Sequence, residues 1–309
     1  MAGAFTHFVL CDLLKKRRSV FNSGLLRLLS KHSEFLFLGA ASPDLPYLSV
    51  KTGSVNWADV MHYEKTNGVV VSGHDALKDV WKLRGPADEI KLVWLLGFVS
   101  HLVADATIHP IVQEAVGPYK KNPGGHRECE MCQDSLIFND YKGYDIKYAE
   151  FSSVLKFCGD SEHFANLMGF WQEQLLENYE HKAEEPDPSL WFKMYTNAID
   201  LAEGDTGVAG LFRHLGGENY IYKPKEEIIS EHPKDYKKYY DKIKIPGGAG
   251  PFKKEGFERA AKNITETWNL LYNGLRSDLL VSKVVRNWDL DTGVNMDSAK
   301  GEVTFWGVA

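Results

Sequence analysis

Three ionisable side chains interrupt the most apolar stretch of the chain. Between Lys91 and Val112 the sequence reads K-L-V-W-L-L-G-F-V-S-H-L-V-A-D-A-T-I-H-P-I-V, with His101, Asp105 and His109 at i, i+4 and i+8. On a helix each step of four advances only about 40° around the axis, so all three fall on one stripe with Cβ atoms roughly 5–6 Å apart. Leu, Val, Trp and Phe cover the rest of the surface, and such a helix is expected to be buried nearly all round. Burying ionisable groups without compensation costs roughly several kcal/mol each. Imidazole, carboxylate and imidazole in a row form a set of zinc ligands. The alternative is a core helix with two hydrogen-bonded histidines and an ion-paired aspartate.

A second pair repeats the spacing. His126 and Glu130 stand at i, i+4 just after Pro123-Gly124-Gly125, as in metal clusters that draw ligands from two helices. Cys129-x-x-Cys132 overlaps them and is a rival zinc or redox motif. No second such motif exists in the chain, which favours plain buried cysteines. Asp44 sits in Ser42-Pro43-Asp44-Leu45-Pro46, where two prolines stiffen the backbone. It is either a turn or helix cap or a carboxylate held rigidly as a metal ligand or base. His62 lies among apolar and aromatic residues on an expected helix, and His74 follows an expected turn at Ser72-Gly73. His7 falls in the first turn of a helix with Thr6 as its expected cap; taken alone it reads as an exposed histidine. Asp134, one turn past Glu130, is either a surface aspartate or a partner orienting a ligating histidine. Tyr47, Trp57 and Tyr63 are either cleft walls or core. His163, His181, His214 and His232 lack a ligand-like partner at helical spacing.

The elements that must position these groups are helical. Apolar spacing predicts helices over Phe5 to Leu14, Phe21 to Leu29, Ala76 to Arg84, Asp160 to Lys182, Ser189 to Glu203 and Phe257 to Leu275. An apolar segment ends at Gly39, and Gln113 to Gly125 reads as a loop. So does Ile245 to Pro251, which lacks the Lys-Ser/Thr ending of a phosphate-cradling loop. Gly301 to Ala309 reads as a strand or an anchored end. An all-α fold is expected, with residues 1–150 carrying the chemistry and residues 151–309 a helical remainder packed on them in one continuous domain. Lys plus Arg is 36 against 42 Asp plus Glu, a net charge of −6. That balance offers no broad attraction for nucleic acid or anionic membrane. Four cysteines are too few for a disulfide scaffold, and Met1 to Val9 lacks a basic segment followed by a long apolar one. A cytoplasmic setting is therefore expected. Lys91 to Val112 is long enough to cross a bilayer, but its three ionisable groups, Gly97 and Pro110 favour a core helix and no transmembrane segment.

Taken in order, T-H at residues 6–7, S-P-D-L-P, M-H-Y-E-K-T, S-H-L-V-A-D-A-T-I-H-P and H-R-E-C-E resemble the zinc-dependent phospholipase C family. The resemblance covers roughly residues 1–150; S1/P1-type nucleases and glycosylphosphatidylinositol-specific phospholipase D share the layout. It implies an all-α bundle with a buried central ligand helix and two to three zinc ions per chain. One ion would be held by Asp44, His62, His101 and Asp105, with His74 as the substitute for His62. A second would be held by His109, His126 and Glu130. A third would take Asp105, His7 and the main-chain amine and carbonyl of the amino-terminal residue, with Ala2 as that residue after removal of Met1. The activity implied is a zinc-dependent phosphodiester hydrolase of phospholipase C type, with Asp44 orienting or deprotonating the attacking water alongside its ligand role. The substrate would be a phospholipid or small diester. The competing functions are an S1/P1-type nuclease acting on nucleic acid and a non-catalytic, zinc-stabilised binding protein.

Overall fold

A computed structural model describes residues 3–49, 53–179, 184–205 and 222–307. Helices α1 (Ala4–Lys16), α2 (Ser23–Lys31), α3 (Ser33–Ala41), α4 (Ser54–Tyr63) and α5 (Gly68–Val80) precede the long α6 (Pro86–Val116). After it come α7 (Pro123–Lys142), α8 (Phe151–Gly159), α9 (Phe164–Asn178), α10 (Pro188–Asp205), α11 (Lys225–Glu231), α12 (Pro233–Tyr236) and α13 (Arg259–Gly274). Strands among the described residues are limited to two short antiparallel pairs, β1 (Ile243–Ile245) with β2 (Gly248–Gly250) and β3 (Trp288–Asp289) with β4 (Val294–Asn295). The fold is all-α, as the residue pattern predicts.

The central helix starts where its chemistry allows. Pro86 takes the first position, where a missing N–H costs nothing, and the Asp88 carboxylate accepts the Gly85 N–H at 3.0 Å. Its 31 residues reach about 46 Å at 1.5 Å per residue. Every residue from Leu92 to Val112 is buried. The window apolar enough to cross a membrane is wholly inside the fold, so this is a core helix.

The loop expected from Gln113 is displaced to Gly117. Pro110 does not end α6; it removes one N–H, which leaves the Ala106 carbonyl without its donor within the helix. Gly293, at φ +68°, packs its backbone there: a Cβ at Gly293 would meet Ala106 O at 2.4 Å and Pro110 Cγ at 2.8 Å. The helix stops at Gly117, with φ +84° and its N–H on Gln113 O at 2.7 Å.

Helix α3 crosses α6 at a pair of glycines. A Cβ on Gly39 would lie 2.0 Å from Trp94 O, and one on Gly97 2.2 Å from Leu36 O. The apolar segment does not turn at Gly39 but runs on to Ala41 and continues as a 3-10 helix, Ser42–Leu48. Two other local expectations also change. Ser72-Gly73 lies within α5, where the small Gly73 admits Phe170 and Leu95. The expected helix over Asp160 to Lys182 begins later, at Phe164 of α9, and ends at Asn178; residues 180–182 lie outside the described residues.

The carboxy-terminal segment is a strap over the first half. Thr66 Oγ1 donates to Trp288 O at 2.8 Å, Leu290 N–H to His62 O at 3.1 Å, and Trp306 Nε1–H to Thr107 O at 2.9 Å. Val303 bridges Val294, so the expected anchored end is present through residue 307. Trp268 on α13 donates to Leu96 O at 2.8 Å, and one buried apolar cluster extends from Phe5 to Leu290.

Candidate metal centre

Two histidines from different helices point their inner nitrogens at each other. His101 on α6 donates Nδ1–H to Ala40 O at 2.8 Å, and His62 on α4 donates Nδ1–H to Ala58 O at 2.7 Å. The glycine crossing of α3 on α6 brings the Ala40 carbonyl to that ring. With Nδ1 protonated, each Nε2 is left as a lone pair directed inward. The two Nε2 atoms stand 3.4 Å apart. Asp44, presented by the 3-10 helix, places Oδ1 3.3 Å from His62 Nε2 and 3.8 Å from His101 Nε2. Facing lone pairs and a carboxylate require a proton or a cation between them. Burial alone would lower the pKa of His101, but Asp105 and Asp44 carry it up to about 9. Burial likewise opposes ionisation of Asp44, and His101 and His62 outweigh it, holding its pKa below the ordinary value.

Asp105 is the hub of the other half. Its Oδ1 lies 3.2 Å from His7 Nε2 and 3.6 Å from His109 Nε2, and its Oδ2 lies 3.3 Å from His101 Nε2. Burial works against its charge, but His109 and His101 hold its pKa well below the ordinary value. His7 is buried rather than exposed: α1 stacks its ring on His101 with centroids 4.1 Å apart and planes 7° from parallel. Burial first, and then the neighbouring His101, lower the pKa of His7.

His126 on α7 uses the opposite tautomer. Its Nε2–H donates to Gly117 O at 2.6 Å, and Nδ1 turns toward Glu130 Oε1 at 4.0 Å.

Among the described residues, two groups bring their donor atoms within 4.8 Å of one another: His7, His101 and Asp105, and Asp44, His62 and His101. His109 joins through Asp105, while His126 and Glu130 lie more loosely beside them. The donor set fits zinc, which takes imidazole nitrogen and carboxylate oxygen. The clearest sign is local: His7 Nε2, Asp44 Oδ1, His109 Nε2 and His126 Nδ1 are buried without hydrogen-bond partners. Each such orphan costs about 1–3 kcal/mol, which cations bound among these residues would offset.

Some candidates fall elsewhere. His74 is buried away from the cluster, donating to Leu271 O at 2.9 Å where α5 meets α13, so His62 and not His74 faces the centre. Asp134 is neither a surface residue nor bonded to a histidine. It accepts the Thr6 N–H at 2.8 Å, the Phe5 N–H at 3.3 Å and the Thr6 hydroxyl at 2.6 Å, so it caps α1 from α7. Thr6 is therefore a buried donor inside the first turn and not the cap. Cys129 and Cys132 are buried and free, and Gln133 donates to Cys129 Sγ at 3.3 Å. Trp57 packs in the core against Tyr179 and Trp191, while Tyr47 and Tyr63 flank His62 at 5.5 and 6.1 Å. His163 stands beside Glu162, and Lys223 meets His232. His181, His214, Met1 and Ala2, and with the last two the amino-terminal ligand, lie outside the described residues.

One residue at the centre escaped the sequence reading. Asp291 Oδ1 lies 3.7 Å from His109 Nδ1, and its Oδ2 accepts from Tyr63 Oη at 3.1 Å. It sits in a turn far along the chain, where neither helical spacing nor a family-like motif marks it.

Neither the curated proteins nor the solved structures contain a match to the chain. The family model for zinc dependent phospholipase C matches residues 3–183, well over half of the chain and every one of the clustered residues from His7 to Glu130. With that match joined to the all-α fold, the chain belongs to the zinc-dependent phospholipase C family.

Proposed function

We propose that the protein is a zinc-dependent phosphodiester hydrolase of phospholipase C type, acting on a phospholipid or a related small diester. The observation that carries this reading is the set of buried donor atoms without hydrogen bonds on His7, Asp44, His109 and His126, the first and third of them beside Asp105. His7, Asp44, His62, His101, Asp105, His109, His126 and Glu130 would hold two to three zinc ions. Bound zinc lowers the pKa of a coordinated water toward about 7 and offsets charge on phosphoryl oxygens.

The protein's own groups do the rest. The carbonyls of Ala40 and Ala58 hold His101 and His62 in the tautomer that presents Nε2. Asp44 is the least buried member of its triad, with 19% of its side chain exposed. It is a carboxylate at neutral pH because His101 and His62 overcome the effect of burial. A carboxylate at the solvent edge can orient a water and accept its proton, and cannot serve as the acid. Tyr63, flanking His62, keeps its proton because burial and Asp291 raise its pKa, so it can offer an O–H but no base.

The test is zinc counting followed by turnover. Wild-type protein should carry two to three zinc ions by elemental analysis and hydrolyse p-nitrophenylphosphorylcholine or bis-p-nitrophenyl phosphate. Asp105→Ala should lose zinc and fall to background, because three histidines share that carboxylate. Hydrolysis of single-stranded DNA in place of the small diesters would move the assignment to the nuclease branch. Full zinc with no turnover of any diester would leave a zinc-stabilised binding protein.

A further inference from the structure

The histidines at the centre differ in what holds their outer nitrogen. His62, His101 and His126 each donate to a main-chain carbonyl, of Ala58, Ala40 and Gly117 respectively. His7 and His109 have no such carbonyl, and Nδ1 of each is buried without a hydrogen bond, but only at His109 does a carboxylate, that of Asp291, face it. We propose that Asp291 is a positioning residue of the metal centre, accepting Nδ1–H from His109 so that Nε2 is presented as the ligand beside Asp105. The inference rests on the zinc reading above.

Asp291 is built to do this. Tyr63 Oη–H donates to its Oδ2 at 3.1 Å, Gln113 Nε2–H donates to its main-chain oxygen at 2.7 Å, and the adjacent Leu290 N–H is tied to His62 O at 3.1 Å. Those bonds come from α4 and α6, the helices that carry His62 and His109. With Oδ2 and the main chain committed, Oδ1 is the atom left facing the imidazole. The 3.7 Å separation exceeds a hydrogen bond by less than about 1 Å, a gap of the kind that closes when a site fills. A carboxylate behind an imidazole fixes the tautomer and makes the ligating nitrogen more basic than a carbonyl does. The residue lies outside residues 3–183, so the strap and not the family-matched segment supplies it.

The test uses the full chain loaded with zinc, titrated with a competing chelator, and Asp291→Ala, Asp291→Asn and Tyr63→Phe variants. Asp291→Ala should weaken one ion by roughly 10–100-fold and leave the others unchanged. Asp291→Asn should recover most of that loss, because its amide oxygen still accepts from Nδ1–H. Tyr63→Phe, which removes the donor that holds Oδ2, should weaken the same ion by less than Asp291→Ala does. In cobalt-substituted protein, the visible spectrum of one ion should change in Asp291→Ala and return in Asp291→Asn. Equal affinities in Asp291→Ala and wild type overturn the proposal. So does a loss in Asp291→Asn as deep as in Asp291→Ala, which would make the carboxylate itself a ligand. A lower melting temperature of the metal-free Asp291→Ala protein with unchanged zinc affinity would reduce the residue to a structural one. Wild-type protein without zinc would overturn the underlying reading and this one together.

Discussion

Asp134 is a buried carboxylate that serves α1 from another helix. It takes N–H and O–H donors from Phe5, Thr6 and Tyr222, at the end of α1 where the helix dipole favours negative charge. The contact also explains Gly3, since a Cβ there would fall 2.2 Å from Asp134 Oδ2. Burial wins over those hydrogen bonds and pushes its pKa up to about 6. A folded pKa above the unfolded one of about 3.9 means that its contribution is fully present below pH 4 and is lost as pH rises through 6. Urea midpoints measured with chelator present should show wild-type stability falling relative to Asp134→Asn between pH 4 and 7, by up to about 3 kcal/mol. Parallel profiles for the two proteins would remove the carboxyl from this role. The contrast with His101, Asp105 and His109 shows what is legible at this scale. One helix carries those three, so spacing alone aligns them. His7, Asp44 and His62 could be gathered only through the resemblance to a family. Asp134 and Asp291 act across more than a hundred residues of sequence; nothing local marks Asp291, and the position of Asp134 one turn past Glu130 does not reveal that it caps α1.

The helices were easier to find than their ends. Periodic apolar spacing locates α1, α10 and α13 to within a few residues, although of these α1 is buried on nearly every side while α13 buries one stripe. The errors cluster where tertiary packing overrides local punctuation. Ser72-Gly73 reads as a turn and Gln113 as the start of a loop, yet Phe170 and Leu95 close on Gly73 within α5, and α6 runs on to Val116 with the Gly293 turn packed against the carbonyl that Pro110 leaves without its donor. Gly39 and Gly97 are the most consequential case, since their crossing sets how far the Ala40 carbonyl lies from His101. Gly97→Ala would force a methyl to 2.2 Å from Leu36 O, a main-chain atom that cannot swing aside. Overpacking of this kind costs about 1–3 kcal/mol and sometimes more. Calorimetry should find Gly97→Ala destabilised by about 3 kcal/mol, with zinc bound more weakly because the backbone partner of His101 has moved. Wild-type stability and zinc affinity in this variant would show that the helices can separate without disturbing the centre.

At the scale of the whole molecule, the centre ties together segments that the apolar core alone leaves short of partners. α1 brings His7, the 3-10 helix Asp44, α4 His62, α6 His101, Asp105 and His109, and α7 His126 and Glu130. Each sends donor atoms into a region where water cannot easily satisfy them, so the metal-free fold carries orphaned nitrogens and a concentrated set of charges. A ligand that binds the folded state alone stabilises it by about 4 kcal/mol per site at a thousand times its dissociation constant. For a chain of this size each kcal/mol moves the melting temperature by about 2 °C. Two occupied sites should therefore raise it by roughly 16 °C, and a tight chelator should lower it by that amount in one cooperative step. Zinc should restore the transition and magnesium should not, because magnesium demands oxygen ligands in octahedral array while this cluster is mostly imidazole. A melting temperature indifferent to chelator, in protein shown to have lost its metal, would mean that the buried row is held by its own protons and hydrogen bonds.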